Sequence, residues 1–169
     1  MEDWRYTALS ITKYNPSFRD ERGIYEREEW TSFWDIGKTY NNEIFTLEEY
    51  LETEQKHIKA IELIMQLTKC PMLCVQGLEK YQEDNDINIP ENKELLPYYK
   101  AIKNDYNVTL NDLQYIVKLV LRELCWFELR DFNKDLFIRF GYDYELSINT
   151  LLEKQKLAPY IHDIGLYIE

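Results

Sequence analysis

Histidine is the scarcest chemical resource of this chain, with only His57 and His162 among 169 residues. A nucleophile–histidine pair or a histidine-rich metal site would have to be built on one of these two. Glycine is nearly as sparse. Its five copies stand isolated, so neither a P-loop nor a dinucleotide fingerprint can bring backbone amides against a phosphate. Cysteine is limited to Cys70, Cys74 and Cys125, an odd number too small for a disulfide-stapled secreted domain, and a reducing cytoplasm is expected. Five prolines and no low-complexity tract mark no linker, so residues 1–169 are expected to form a single domain. No run approaches the ~20 apolar residues of a membrane helix. Met1-Glu2-Asp3-Trp4-Arg5 does not open a basic-then-apolar signal either, so no export or membrane association is expected. Positive charge is the minority, 20 Lys+Arg against 31 Asp+Glu, for a net −11. Such a field repels phosphate backbones and anionic lipid, which argues against nucleic acid and membrane as partners and favours a basic protein.

What is present is a good core. Hydrophobic residues make up 45% and aromatics 15%, and a chain of this length buries roughly two-thirds of its extended surface. Residues Trp4 to Lys13 read as a first strand, with Leu9 and Ile11 on one face and Trp4, Tyr6 and Ala8 on the other, the pattern of a strand covered on both sides. Periodicity then lapses from Ser17 to Asn42, where Asp20-Glu21-Arg22-Gly23 spells a turn. Thr46-Leu47-Glu48-Glu49 is a capping box, and Tyr50, Leu51, Ile58, Ile61, Ile64 and Met65 follow at helical spacing to about Lys69. Leu73 to Tyr81 reads as a strand, Gln82 to Glu91 as an acidic turn, and Asn92 to Asn104 as a short helix. Thr109-Leu110-Asn111-Asp112 offers a second cap, before Leu113, Val117, Val120 and Leu124. Cys125 to Arg130 and a long alternating run from Leu136 to Ile148 predict an antiparallel hairpin. Thr150-Leu151-Leu152-Glu153 spells a third capping box, and Leu166 to Ile168 a final edge strand. The fold class is therefore α+β, a mostly antiparallel sheet with two long amphipathic helices packed on one face.

No constellation reads as a catalytic or metal site. Glu54 and His57 at i, i+3 make half of a di-iron pattern, but Pro159 stands where His162 would need its carboxylate, and His57 reads as an ordinary half-exposed helical residue. Cys70 and Cys74 lack a second ligand pair for zinc, so neither metal nor cofactor is expected. Two segments stand out for binding. The stretch Arg19 to Lys38 mixes Asp20, Arg22, Tyr25, Glu29, Trp30, Trp34 and Asp35, a combination of aromatic anchors and charges typical of interfaces. The alternative is that Trp30 and Trp34 plug the core beneath a loop. On the predicted hairpin, Asp143 and Glu145 share a polar face with Arg139 and Ser147.

The residues Lys13-Tyr14-Asn15-Pro16, Arg19-Asp20, Gly23, Tyr25, Glu29-Trp30-Thr31-Ser32 and Asp35-Ile36-Gly37-Lys38, with Phe140-Gly141-Tyr142-Asp143-Tyr144 and Gly165-Leu166-Tyr167-Ile168-Glu169, resemble a signature of small bacterial proteins. Those proteins are similar to the immunity proteins of bacterial toxin systems. The resemblance implies a class, with no site residues to transfer. The expected function is binding and neutralising a toxin by occlusion, an acidic surface meeting a basic toxin domain. The competing expectations are a small hydrolase or transferase built on Asp/Glu and a histidine, and a homo-oligomer joined through exposed aromatics.

Overall fold

Leu9 and Ile11 do face inward together, on the first strand of a sheet that dominates the molecule. The structure, a computed structural model, describes residues 7–81, 87–133 and 135–169. Trp4, Tyr6 and residues 82–86 of the predicted acidic turn lie outside the described residues. The strands are β1 (Thr7–Thr12), β2 (Thr39–Tyr40), β3 (Glu43–Ile44), β4 (Met72–Lys80), β5 (Asn107–Thr109), β6 (Cys125–Asp131), β7 (Leu136–Phe140), β8 (Leu146–Thr150) and β9 (Tyr167–Ile168). Seven of them form one sheet in the order β5-β4-β6-β7-β8-β1-β9, with every neighbouring pair antiparallel. β2 and β3 make a separate hairpin in the irregular segment.

Helices α1 (Leu47–Leu67), α2 (Leu96–Ala101), α3 (Leu110–Leu121) and α4 (Lys154–Ile164) complete the α+β fold. Alternation along the strands puts Leu73, Val75, Phe127, Leu129, Leu136, Ile138, Leu146, Ile148, Leu9 and Ile11 on one face, all fully or nearly fully buried. Ile58, Ile61, Ile64 and Met65 of α1 and Leu113, Ile116, Val117 and Val120 of α3 belong to the same core. The opposite face carries Gln76, Glu128, Arg130, Phe137, Arg139, Ser147 and Ser10 in register across β4, β6, β7, β8 and β1. Ala8 is exposed there, so β1 is covered on one side only.

The capping box at Thr46 and Glu49 forms as spelled, each side chain reaching the other's backbone amide. The other two do not. Thr109 stands at the N-cap of α3 without a side-chain bond, because it still belongs to β5. Thr150 ends β8 and its hydroxyl accepts from Leu152 N at 3.1 Å, so α4 starts later, after Glu153. A larger difference concerns the alternating run from Leu136 to Ile148, which is two strands. Gly141 N donates to Glu145 O and Glu145 N to Tyr142 O, closing a turn in which Asp143 (φ 54°) and Tyr144 (φ 63°) are left-handed. A bulky residue rarely takes that conformation. Tyr144 is compensated by burial against Tyr50 and Trp30 and by a hydrogen bond from its hydroxyl to Leu121 O at 2.8 Å.

Among the described residues, no helix is long and apolar enough to cross a membrane.

Candidate functional site

An open cleft of ≈ 820 Å³ lies at the end of the sheet where four chain segments converge. Its existence follows from local backbone geometry. In β4 the register against β6 shifts between Gln76 and Glu79, and Gly77 takes the left-handed conformation (φ 64°) that such a bulge requires. The shift sets Glu79 opposite Trp126. On the other wall, α3 ends at Leu121, Arg122 caps it, and the chain reverses through Glu123, also left-handed, into β6. The β7–β8 turn contributes Tyr142, Asp143 and Glu145, and Thr31 and Ser32 close the rim from the irregular segment.

Four carboxylates, Glu79, Glu123, Asp143 and Glu145, therefore face one guanidinium, Arg139, around this opening. Arg139 is committed to Glu128 of the open sheet face at 2.8 Å, and Glu145 accepts from the Ser10 hydroxyl at 2.8 Å. Among the described residues, Glu79, Glu123 and Asp143 form no ion pair. Aromatic surface alternates with the charge. The Trp126 indole donates to Phe140 O at 2.9 Å and stands fixed in the wall, while Tyr142 and Tyr81 project outward. Burial, and then the negative charge of Glu79, pushes the Tyr81 phenol up, so it stays neutral at physiological pH. The only thiol in the lining, Cys125, is buried and pushed up to about 12 by desolvation, which removes it as a nucleophile. Neither histidine is in the lining. Among the described residues no group of three His, Cys, Asp or Glu is gathered as a metal would need. The arrangement can hold a cation against aromatic faces.

The residues singled out from sequence divide between this cleft and the scaffold behind it. Asp143 and Glu145 line the cleft, although on a turn and not on a strand. Glu29 accepts from Lys13 Nζ at 3.1 Å and from the Tyr25 hydroxyl, and Lys13 stands over the Trp30 ring at 4.2 Å. Trp30 stacks on Phe45 at 4.4 Å and meets Tyr144 edge-on at 5.1 Å, so it backs the turn from inside. Trp34 is half-exposed and packs its edge on Phe33 at 5.2 Å. Asp35 is nearly buried and structural. It accepts from the backbone amides of Thr31 and Ser32 and from Lys38 Nζ at 2.7 Å. Asp20 and Arg22 pair with each other across the Gly23 turn, away from the cleft lining. Sequence reasoning passed over Glu79, Glu123, Tyr81 and Trp126 as site residues, and no local signal marks them, since they converge only through the bulge and two left-handed turns.

No family model matches the chain, and comparison with curated proteins and with solved structures likewise returns no match.

Proposed function

We propose that the chain is an immunity or antitoxin-type protein that acts in the cytoplasm by binding a basic toxin domain and covering its active surface. The observation that carries the reading is the cleft, where three carboxylates with no ion pair among the described residues share a rim with Trp126, Tyr81 and Tyr142. Aromatic anchors beside charge are the composition of binding hot spots, and the −11 net charge extends the same sign beyond the rim. Opposite fields of this kind accelerate encounter and reject acidic competitors. The hydrolase or transferase reading loses support because the cleft lining holds no histidine and only a suppressed thiol.

The test is co-expression with the product of the neighbouring reading frame, scored by host survival and by co-purification. Protection that fails on Glu79→Lys with Glu123→Lys, in a variant retaining wild-type thermal stability, is the expected result. Absence of both protection and a co-purifying basic partner would sink the reading.

A further inference from the structure

A smaller hollow of ≈ 300 Å³ lies at the end of the sheet opposite the cleft. β6 runs from Cys125 in the cleft lining to Asp131 in the lining of this hollow, so about 20 Å of strand separates the two. Three turns form the walls, and each is locked by its own hydrogen bonds. Past the end of α1, Lys69 is left-handed (φ 53°), its amide donates to Gln66 O, and the Cys70 amide donates to Met65 O at 2.8 Å. Asp131 Oδ1 accepts from Asp135 N at 2.7 Å after β6, and Thr150 Oγ1 accepts from Leu152 N at 3.1 Å after β8. The hollow is therefore preformed, and a partner entering it has little to order.

Turns are built mainly from Gly, Pro, Asn, Asp and Ser, yet Phe132 occupies the turn after β6 with 92% of its surface in water. Unlike Tyr142, it has no polar atom to hydrate. Leu151 and Met72 are also exposed at this end, and Pro71 and Leu152 complete the apolar lining. Clustered apolar exposure of this kind marks an interaction surface. A projecting ring and a receptive hollow on one patch are what a two-fold pair needs, since each copy offers the surface that it receives. Charge points the same way. Two chains of net charge −11 repel, so a self-contact requires local attraction. Lys69 on one wall and Asp131 on another form no ion pair among the described residues. A two-fold axis through the mouth of the hollow brings Lys69 of each copy towards Asp131 of the other.

We propose that this hollow is the contact surface of a homodimer, in which Phe132 of each copy inserts among Pro71, Met72 and Leu151 of the other and Lys69–Asp131 pairs flank the insertion. Contact and cleft occupy opposite ends of β4 and β6, so both clefts stay open in the pair. The dimer does not rest on the proposed role of the cleft, and the failure of either leaves the other standing.

The experiment is sedimentation equilibrium of the full chain from micromolar concentration to about 1 mM, which still detects a weak specific pair. A monomer–dimer equilibrium is expected. Phe132→Glu should weaken it at least about tenfold while leaving thermal stability in dilute solution unchanged, and Leu151→Glu should act in the same direction. Lys69→Glu should also weaken it, whereas Lys59→Glu, an equal change of net charge on an exposed position of α1, should have the smaller effect. In a dimer mixed from labelled and unlabelled chains, NMR should detect NOEs from the Phe132 ring of one copy to the Met72 and Leu151 methyls of the other. A wild-type chain monomeric at every concentration, a dimer indifferent to Phe132→Glu, intermolecular NOEs that avoid Phe132, or Lys69→Glu and Lys59→Glu acting alike each overturns the proposal. A monomer whose Phe132→Glu variant instead loses a co-purified protein assigns the hollow to that protein and overturns it too. Should Phe132→Glu not fold, Leu151→Glu and the wild-type NOEs decide.

Discussion

Arg122 grips Glu54 with two parallel hydrogen bonds, Nε to Oε2 at 2.8 Å and Nη2 to Oε1 at 2.7 Å, and both side chains are 2% exposed. The remaining guanidinium nitrogen donates to Glu91 O and Asn92 Oδ1. One cation thus joins α3, α1 and the 3-10 turn Pro90–Leu95. Removing either partner leaves an uncompensated buried charge, so Arg122→Met should cost about 3–5 kcal/mol in urea unfolding. The double variant Glu54→Met with Arg122→Met should recover most of that loss. A single variant that loses less than about 1 kcal/mol would mean the pair is not desolvated as described.

The two tryptophans of the irregular segment should separate cleanly. Trp30→Ala opens a void among Phe45, Tyr50 and Tyr144 and should destabilise by about 3–5 kcal/mol. Trp34→Ala, half-exposed, should change thermal stability by under about 1 kcal/mol. Equal losses at the two positions would contradict the packing.

Asp35 supplies a pH signature of the same segment. Burial pushes its carboxyl up, but the Lys38 ammonium and the Thr31 amide hold the net value below the ordinary 3.8. A folded-state value below the unfolded one gives stability that is present above pH 3.8 and lost as pH falls through the depressed value. Asp35→Asn should therefore cost about 1–2 kcal/mol at pH 7, with the gap to wild type closing below pH 3.8. Stability curves of the two proteins that stay parallel down to pH 2 would refute this.

The three thiols should react in order of access. Alkylation of native protein at pH 8 should modify Cys74 first, which is half-buried, and spare Cys125, whose thiol is pushed up to about 12. Mass spectrometry of the labelled peptides reads the order, and early labelling of Cys125 would show that the cleft floor is open.

Local signals carried the helices and failed at the turns. The box at Thr46 and Glu49 is complete within four residues, so it was legible, and α1 begins inside it at Leu47. The Thr150 run has the same spelling and the Thr109 run differs by an Asp, yet strand pairing claims both threonines first. Between Phe140 and Leu146 the alternation of large and small residues continues in the sequence through a reversal, although Tyr142 points to solvent and Tyr144 to the core, where a strand would place both on one face. Period two alone cannot reveal that break. The cleft was invisible for a different reason: Glu79, Glu123 and Asp143 are 20 or more residues apart in the chain, and in an acidic sequence no single carboxylate is distinguished. His57, read as half-exposed, is fully buried instead, and the Tyr144 carbonyl 2.8 Å from its Nε2 lies 87 positions away.

Tyr144 is held at three points, through its ring, its hydroxyl and its carbonyl, whereas Tyr142, two positions earlier, is 92% exposed. The reversal thus divides labour between an inward residue that anchors and an outward one that is structurally idle. Position 142 is where a descendant of this molecule could exchange one binding preference for another while its foundation stayed untouched.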